Sequence, residues 1–370
     1  GVDDSGRELA ILCQMVENLI VGAPCGVMDQ MASACGHEGA LLSLLCRPAE
    51  VCGSLSLPSH AAVWGIDSGI RHHVGGSDYG KVRTGAFMGK TLVQACYEGS
   101  RGYVNDNGNL PLVSGCQLSD SQVISGRGGR DGGSVDENGE NIGLSLVSER
   151  QLSTSQPIRD RVDGDGEPLR YLTQIPPHVL NSPRFAECLP PAGGVVGGDV
   201  FLRRFPEGHG DTITVVDPDE TYDVTGPTRH PILEHHRVRT FAQVLDASAG
   251  VQYGQTDRKE AEDEHLAVLG ELMYQSNAGY TTLGLGSDGT DEIVRLVKSS
   301  GPCTGLFGAK ITGGGSGGTV CVLGRSDGSG DAAVVEVCRA YRETTGRTPY
   351  LFRGSSPGAV AFNHVRVQLL

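Results

Sequence analysis

The segment on which the fold depends is Val21-Gly22-Ala23-Pro24-Cys25-Gly26-Val27-Met28-Asp29-Gln30. Apolar residues at helical spacing precede it and predict an amphipathic helix over residues 7–21. If that helix ends at Gly22 and a second begins near Asp29, free backbone N–H groups and one carboxylate meet at the same point. Such a point suits a polar, partly anionic reaction. The residues alone leave a second interpretation open, in which Asp29 simply caps the second helix of a helix–turn–helix.

Composition narrows the classes of function. With 370 residues the chain is long enough for two domains, or for one large domain with an insertion. Its formal net charge of −14 leaves no basic surface for phosphates, so we expect no nucleic-acid partner. No apolar run approaches the roughly 20 residues that span a bilayer, so we expect no membrane segment. Eleven cysteines without a C-x-x-C pair predict reduced, mostly buried thiols and a cytoplasmic protein.

Periodic patterns place helices and strands along the chain. Helices are predicted at 7–21, 31–36, 81–97, 231–247, 258–276, 291–299 and 331–344, with a shorter helical stretch in 171–189. Strands are predicted at 40–46, 61–67, 212–217, 221–225, 309–312, 319–323 and 349–353. Ser5 and Glu8 fit a capping box at the first helix, and the strands 212–217 and 221–225 are expected to form a hairpin. Mixed elements without regular β-α-β alternation indicate an α+β fold.

Residues 99–170 differ in character from the rest of the chain. They are rich in Gly, Ser, Asn, Asp and Arg and show little periodicity, so they cannot bury enough apolar surface to offset ordering. We expect a disordered insertion there, which separates a domain at 1–98 from a second domain at 171–370. Gly193–Gly198 is expected to be a smaller loop insertion.

Two glycine-rich loops match G-x-G-x-x-G, at Gly284–Gly289 and Gly313–Gly318. A dinucleotide-binding fold requires a strand before this motif and a helix after it. The first loop is predicted between two helices and the second between two strands, so neither predicts such a fold. We interpret the first as a turn between helices. The second holds five glycines in six residues, more than a hairpin turn needs, which indicates that a ligand or another loop approaches its bare backbone.

No metal site is predicted from the residues. His72-His73 and His235-His236 are adjacent pairs, whose side chains point in different directions on a strand or a helix. Asp163-Gly164-Asp165-Gly166 resembles the start of a calcium loop, but the twelfth position is Gln174 rather than a bidentate glutamate.

Three segments, read together, resemble the GHMP kinases, a family of small-molecule kinases. They are Pro24–Gln30, Ser68–Arg83 and Lys310–Gly318. The G-x-M-D-Q core is characteristic of the sugar-kinase branch, which includes galactokinase and L-arabinokinase, and the segments are most similar to those of plant-type L-arabinokinases. The resemblance covers about residues 1–98 and 171–370. Because several motifs occur in the same order, it is far more specific than either glycine loop alone.

The resemblance implies a two-lobe α+β fold, with a ribosomal-S5-like N-terminal lobe, here partial, and a ferredoxin-like C-terminal lobe. ATP, with Mg²⁺, and a small-molecule sugar would meet between the lobes. Asp29 corresponds to the residue beside the hydroxyl that receives the phosphoryl group, and it either accepts the proton or orients the hydroxyl. Cys25, Gly26 and Tyr79 correspond to sugar-contacting positions. The family's third motif, which packs against the phosphate loop and the substrates, corresponds to Gly313, Gly314, Gly315, Ser316, Gly317 and Gly318.

The resemblance also implies an activity, the ATP-dependent phosphorylation of a sugar at its anomeric hydroxyl. L-Arabinose is the first candidate and galactose the second, and the alternative is a non-catalytic sugar-binding or regulatory protein. The family's phosphate loop, P-x-x-x-G-L-S-S-S-A, and its first sugar-binding motif do not occur in the 370 residues. Since the sequence starts at Gly1, we expect an upstream part that carries both, and we expect the 370 residues alone to be inactive.

Overall fold

The computed structural model describes residues 6–71, 77–97, 169–191, 193–250 and 258–362. The predicted insertion at 99–170 lies outside these ranges except for its last two residues. Ser5 of the predicted capping box and the pair His72-His73 also lie outside them. Over the described ranges, every helix is too short or too polar to cross a membrane.

Helices and short strands alternate irregularly along the described chain. The helices are α1 (Arg7–Val16), α2 (Met28–Cys35), α3 (Ser77–Tyr97), α4 (Pro183–Cys188), α5 (Gly198–Arg204), α6 (Thr225–Gly250), α7 (Arg258–Thr282), α8 (Asp288–Ser300) and α9 (Ser329–Thr345). The strands are β1 (Ala40–Leu45), β2 (Glu50–Ser56), β3 (Ala61–Asp67), β4 (Val195–Gly197), β5 (Thr221–Asp223), β6 (Leu306–Ile311), β7 (Thr319–Arg325) and β8 (Tyr350–Phe352). A π-helical turn, Glu17–Val21, continues α1. The predicted helices are confirmed, although α6 begins six residues before Pro231, which lies inside it.

The centre of the fold is a four-stranded antiparallel sheet in the order β6-β7-β3-β8. β3 pairs with β7 along its full length, from Ala61 opposite Arg325 to Asp67 opposite Thr319. β3 comes from the first part of the chain and the other three strands come from the last part, so the sheet joins the regions on either side of the predicted insertion. The strands predicted for this sheet are confirmed.

Side chains alternate between the two faces of this sheet, as the two-residue period of a strand requires. Trp64 and Val322 pack with apolar residues of α8 and α9. Phe307 and Leu323 face apolar residues of α6 and α7 on the opposite side. α7 comes unusually close to β6 because position 270 is glycine; a Cβ on Gly270 would lie 2.0 Å from the carbonyl oxygen of Phe307. The sheet is therefore buried on both faces.

A second core lies around α3. Its buried side chains come from α3, from residues 172–224 and from the start of α6: Met88, Leu92, Val93, Leu172, Ile175, Leu180, Phe185, Cys188, Leu189, Val196, Phe201, Val216, Tyr222, Val224 and Ile232. α3 and α6 pack closely because position 89 is glycine; a Cβ on Gly89 would lie 1.6 Å from Thr228 Oγ1. This packing fixes α3, whose first turns carry Tyr79 and Arg83.

The first corner of the fold is formed by α1, α2 and the antiparallel hairpin β1–β2. Met31 of α2 is fully buried in a small cluster with Ala10 and Val27. Arg7 of α1 donates from Nε to the carbonyl of Ala49, in the turn of the hairpin, at 2.6 Å. The sequence patterns do not predict β2, because most of its residues are exposed and no apolar alternation marks it.

Two sequence predictions in the region of β4 and β5 are wrong. Gly193–Gly198 is not a loop insertion, since it contains β4 and the start of α5. The partner of β5 is β4, not residues 212–217. The end of that segment is instead fixed by a side chain, because the N–H of Asp217 donates to the Tyr222 hydroxyl at 2.9 Å. The predicted hairpin therefore does not form.

The prediction that the cysteines are reduced and mostly buried is wrong for one pair and for the burial of the free thiols. Cys96, near the end of α3, and Cys188, at the end of α4, form a disulfide. The free cysteines of the described chain are exposed or half-buried rather than buried. The bonded pair is separated by 92 residues in the sequence, so no short spacing pattern could reveal it.

Candidate active site

Asp29 lies in the first turn of α2 and is exposed. The helix begins at Met28, next to the restart near Asp29 that the sequence suggests and three residues before the predicted range 31–36. Its cap position is Val27, and no side chain caps the helix, so Asp29 is not a capping residue. Over the described ranges, no side chain donates a hydrogen bond to the Asp29 carboxylate or forms an ion pair with it. The carboxylate is thus open to an incoming group.

Two features raise the pKa of Asp29. The larger is partial burial, since the surrounding chain removes some of the water around the carboxylate although the residue as a whole is exposed. The second is the negative charge of Glu17. Glu17 is fixed by the side-chain amide of Gln30, which donates to its Oε1 at 2.7 Å. Asp29 therefore binds a proton more tightly than an ordinary aspartate does.

The loop between β6 and β7 runs past this carboxylate. A Cβ on Gly313 would lie 3.6 Å from Asp29 Oδ2, so the absence of a side chain leaves the space beside the carboxylate open. Gly313, Gly315, Gly317 and Gly318 all have positive φ, as does Ser316. That backbone region is readily available only to glycine. The glycines thus allow the loop to adopt its left-handed backbone conformations, and Gly313 also leaves the space at Asp29 open.

Other parts of the chain pack against much of this loop. A Cβ at position 315 would lie 2.4 Å from the carbonyl oxygen of Leu285, and one at position 317 would lie 3.0 Å from that of Ile70. Leu285 belongs to the predicted turn between helices, which is confirmed between α7 and α8. Another loop therefore does approach the glycine backbone at position 315, whereas Gly313 faces the open space at Asp29.

Hydrogen bonds hold the far end of the loop in place. Ser68, which is buried, donates from Oγ to the carbonyl of Gly318 at 2.8 Å. The N–H of Gly318 donates to the carbonyl of Ile70 at 3.0 Å, and the N–H of Ser316 donates to that of Leu285 at 2.6 Å. These contacts make the loop a fixed wall beside Asp29.

Tyr280 of α7 is a site residue that the sequence does not reveal. Its hydroxyl donates to the carbonyl of Gly313 at 3.1 Å. Burial raises the pKa of Tyr280 to about 12, and the nearby acidic groups Glu234, Tyr79 and Asp29 add to the effect. The phenol therefore remains protonated at neutral pH and fixes the direction of the Gly313 peptide.

Tyr79, in the first turn of α3, faces the same region. Burial raises its pKa, the neighbouring guanidinium of Arg83 opposes that rise, and the acidic groups Cys25 and Asp29 contribute smaller increases. The phenol of Tyr79 is thus close enough to Asp29 to sense its charge.

Cys25 and Gly26 differ in how accessible they are to a ligand. The thiol of Cys25 lies 3.3 Å from a carboxylate oxygen of Glu17 and accepts from Gln30 at 3.8 Å, so it is engaged within the protein. Burial, with the adjacent Glu17, raises the pKa of this thiol. Gly26 is exposed, and a Cβ there would meet nothing within 4 Å. Gly26 is therefore the open position of the two.

The structure brings Cys25, Asp29, Tyr79 and Gly313 into one region. Positions 315 to 318 of the loop mainly contact other parts of the protein. Sequence reasoning assigns no role to Glu17, Arg83 or Tyr280. Arg83 ends the segment Ser68–Arg83, but the contacts of all three residues in this region arise only through the fold. Over the described ranges, no three His, Cys, Asp or Glu side chains cluster in a way that could hold a metal ion.

Comparison with known families identifies the region around the glycine loop. Residues 258–343 match the family described as GHMP kinases C terminal. Residues 258–343 belong to the GHMP kinase family. They comprise α7, α8, β6, β7 and most of α9, and thus contain Tyr280 and the whole loop 313–318.

Sequence similarity to an L-arabinokinase extends along the whole chain, and similarity to galactokinases covers part of it. An L-arabinokinase from Arabidopsis thaliana is 39% identical over 374 residues, which cover 100% of this chain and 31% of that protein. A galactokinase from Chloroflexus aurantiacus is 40% identical over 80 residues, which cover 22% of this chain and 20% of that protein. The chain therefore spans 31% of the length of the L-arabinokinase.

The fold is the α+β fold of the GHMP kinases. A crystal structure of Lactococcus lactis galactokinase, complexed with galactose, matches this chain with a TM-score of 0.53 at 15% sequence identity. The match covers 95% of this chain and 59% of that one. The predicted GHMP kinase fold is thereby confirmed.

Proposed function

We propose that this chain takes part in the ATP-dependent phosphorylation of a monosaccharide at its anomeric hydroxyl. One observation carries the proposal: Asp29 presents an exposed carboxylate without a partner, opposite the bare backbone of Gly313, in a fold shared with galactokinase. The 39% identity to an L-arabinokinase favours L-arabinose as the substrate. The galactokinase similarity makes galactose the second candidate.

The proposed chemistry depends on positioning and charge. Phosphoryl transfer needs a nucleophile in line with the phosphate and a group that orients it. Asp29 accepts a hydrogen bond from the attacking sugar hydroxyl and takes its proton as the new oxygen–phosphorus bond forms. At the same time the bond between the γ-phosphorus of ATP and the β–γ bridging oxygen breaks, and ADP leaves. Tyr79 and Gly26 contact the sugar, and the Gly313 backbone closes the opposite side of the site.

ATP is the proposed phosphoryl donor, in keeping with the family, and a cytoplasmic location is part of the proposal. Mg²⁺ at kinase sites is held by one or two carboxylates together with phosphate oxygens. Glu17 is engaged by Gln30, and Asp29 is assigned to the hydroxyl. The described residues therefore do not offer a fitting ligand set for Mg²⁺, and we assign no ligand to the metal.

Binding and turnover are tested separately. Calorimetry measures the binding of L-arabinose and galactose to the 370-residue chain and to the product of its complete gene. A coupled assay with MgATP measures ADP release, and loss of reducing sugar identifies a 1-phosphate as the product. We expect turnover only in a polypeptide that also contains the family's phosphate-loop motif, which these 370 residues lack. Ordinary turnover by the 370 residues alone would refute that expectation.

Asp29→Asn tests the assigned role of the carboxylate in an active polypeptide. We expect kcat to fall far more than KM changes, because the lost interaction strengthens in the transition state. Asp199→Asn is the matched control, since Asp199 is an exposed carboxylate of α5 that pairs with Arg203. A loss of sugar affinity with kcat unchanged would show that Asp29 binds but does not act in the reaction.

A sugar-binding protein without catalysis is the second candidate. It is favoured by the absence of the sequence P-x-x-x-G-L-S-S-S-A from the 370 residues. This function predicts sugar binding without ADP release in every form of the protein, including the product of the complete gene. ADP release that depends on the sugar excludes it.

A further inference from the structure

A buried ion pair joins α3 to the segment before β5. Arg83 donates from Nε to Asp211 Oδ2 at 2.7 Å and from Nη2 to Oδ1 at 2.9 Å, the two-bond geometry of a guanidinium–carboxylate pair. The side chain of Asp211 is 0% exposed and that of Arg83 is 14% exposed. Burial alone raises the pKa of Asp211, but hydrogen bonds from Arg83 and Thr214 hold it well below its usual range. The pair is therefore fully charged at neutral pH.

The same guanidinium reaches two parts of the candidate sugar site. Its Nη1 donates to the carbonyl of Pro24 at 3.3 Å, at the start of the turn that leads to Gly26 and Asp29. Its positive charge also acts on the phenol of Tyr79, one helical turn earlier in α3, and opposes the rise in the pKa of that phenol. Arg83 thus links a buried anchor, Asp211, to the turn and to the tyrosine.

We propose that Arg83 and Asp211 are positioning residues, which hold the Tyr79 phenol and the Pro24–Cys25 peptide in the arrangement that binds the sugar. This inference rests on the proposed function. The anchor is strong because Asp211 is fixed in turn by Thr214, whose N–H and Oγ1 donate to Asp211 Oδ2 at 3.1 and 2.8 Å. Two nitrogens of the Arg83 guanidinium are bonded to a carboxylate that is itself fixed. The side chain of Arg83 therefore has little freedom to move away from Tyr79.

The chemistry of arginine also sets what Tyr79 offers to the sugar. A guanidinium only donates hydrogen bonds, so Arg83 can bond to the phenol of Tyr79 only if the phenol oxygen accepts. The hydroxyl proton of Tyr79 is then left to point elsewhere. We infer that it is donated to an oxygen of the sugar. Arg83 therefore sets the polarity of this contact as well as its position.

A purely structural role for the pair makes a different prediction from a positioning role. Removing Asp211 alone would leave the buried guanidinium of Arg83 without its carboxylate, and removing Arg83 alone would leave buried Asp211 with only the more distant Arg47, at 3.8 Å. Either single change destabilises a protein whatever the pair does. The variant R83Q/D211N removes both charges together. Arg83→Lys keeps a positive charge beside Asp211 but loses the planar fork. Arg203→Gln, which breaks an exposed ion pair of α5, is the control.

Steady-state kinetics and calorimetry on the product of the complete gene decide between the two roles. For R83Q/D211N we expect the sugar KM and Kd to rise about 10- to 100-fold. The KM for ATP should stay within about twofold of wild type, as should both constants in Arg203→Gln. Arg83→Lys should raise the sugar KM as well, since lysine cannot hold Asp211, Pro24 and Tyr79 at once. A structural role alone would lower the unfolding midpoint and the active fraction while both KM values stayed the same.

The link to Tyr79 is tested by repeating the substitution in Tyr79→Phe. With the phenol absent, R83Q/D211N should raise the sugar KM by less than about fivefold. An undiminished effect overturns the link to Tyr79. If wild type binds sugar and the sugar KM of R83Q/D211N is unchanged, this inference fails alone. If wild type binds neither L-arabinose nor galactose, the proposed function fails, and the inference fails with it.

Discussion

Replacing Gly313 with alanine tests whether the space between Asp29 and the β6–β7 loop is the sugar site. Gly313 has a φ of 62°, and an alanine in this left-handed region costs about 1–2 kcal/mol. The nearest atom to the added methyl would be Asp29 Oδ2, at 3.6 Å, an ordinary contact distance. The protein itself can therefore accept the methyl, and the loss in stability is confined to the backbone strain.

The same methyl occupies the space through which a hydroxyl would reach Asp29. A hydrogen bond from a hydroxyl to a carboxylate brings the two oxygens to about 2.5–2.7 Å, and a carbon already placed 3.6 Å from Oδ2 obstructs that approach. Losing one hydrogen bond to a charged group costs about 1.5–3 kcal/mol. At about 1.4 kcal/mol for each factor of ten, kcat/KM for the sugar should fall roughly 10- to 150-fold.

Gly346→Ala is the matched control for Gly313→Ala. Gly346 ends α9 with a φ of 72°, and a Cβ there would meet nothing within 4 Å. Both variants should lower the free energy of unfolding by a similar amount, about 1–2 kcal/mol. Fluorescence of Trp64, the one tryptophan of the sequence and a residue of the sheet core, measures this in a denaturant titration. Only Gly313→Ala should lower kcat/KM for the sugar.

Two results would refute the assignment of this space. If Gly313→Ala and Gly346→Ala have the same kcat/KM for the sugar, the hydroxyl does not approach Asp29 from the loop side. If Gly313→Ala is much less stable than Gly346→Ala, the methyl has displaced part of the protein and the space is not open. Gly315→Ala shows how large the loss of stability becomes when the methyl does not fit, because that methyl would lie 2.4 Å from a carbonyl oxygen and the loop would have to shift.

Glu17→Gln removes a negative charge that raises the pKa of Asp29. The rate rises as Asp29 ionises, so the acid limb of the pH–rate profile should move to lower pH, and an unmoved limb would contradict the coupling. Tyr280→Phe deletes a donor to the glycine loop and should cost about 0.5–1.5 kcal/mol of unfolding free energy together with a higher sugar KM; a loss of stability with KM unchanged would leave Tyr280 outside the site. Reduction of the disulfide between Cys96 and Cys188, which are 92 residues apart, should cost roughly 2–4 kcal/mol. Denaturant unfolding with and without dithiothreitol measures it, and identical curves would argue against the bond.

The predictable part of the fold is the part with local patterns. α8, for example, carries apolar residues at helical spacing, which predict a helix at 291–299, whereas its capping box between Ser287 and Thr290 lacks the usual glutamate and is seen only in the structure. β4 and β5 are only three residues long, and their pairing joins Val195 to Asp223. Strand partners chosen over that separation depend on the surrounding core, so a pattern search selects the nearer but wrong partner.

The residues of the candidate site also differ in whether a local sequence pattern reveals them. Asp29 and the loop 313–318 stand out because each has an unusual local composition. Arg83 gains its significance only through Asp211, 128 residues away, and Tyr280 through a carbonyl 33 residues away. Neither contact can be inferred from the neighbouring residues in the sequence. Sequence reasoning therefore identifies the candidate groups for substrate binding more readily than the groups proposed to position them.

Two carboxylates near the candidate site differ in a way that bears on the role of Asp29. Burial works against the charge of Asp211, but donors from Arg83 and Thr214 overcome it and lower its pKa, which suits a fixed anchor. Asp29 has no such donor, and burial and Glu17 raise its pKa, which makes it the stronger base. A residue that only orients a hydroxyl gains nothing from basicity, whereas one that accepts the proton does. The environment of Asp29 therefore favours proton acceptance. The plateau rate of Glu17→Gln separates the two roles: it should fall if Asp29 takes the proton, and it should stay at the wild-type value if Asp29 only orients the hydroxyl.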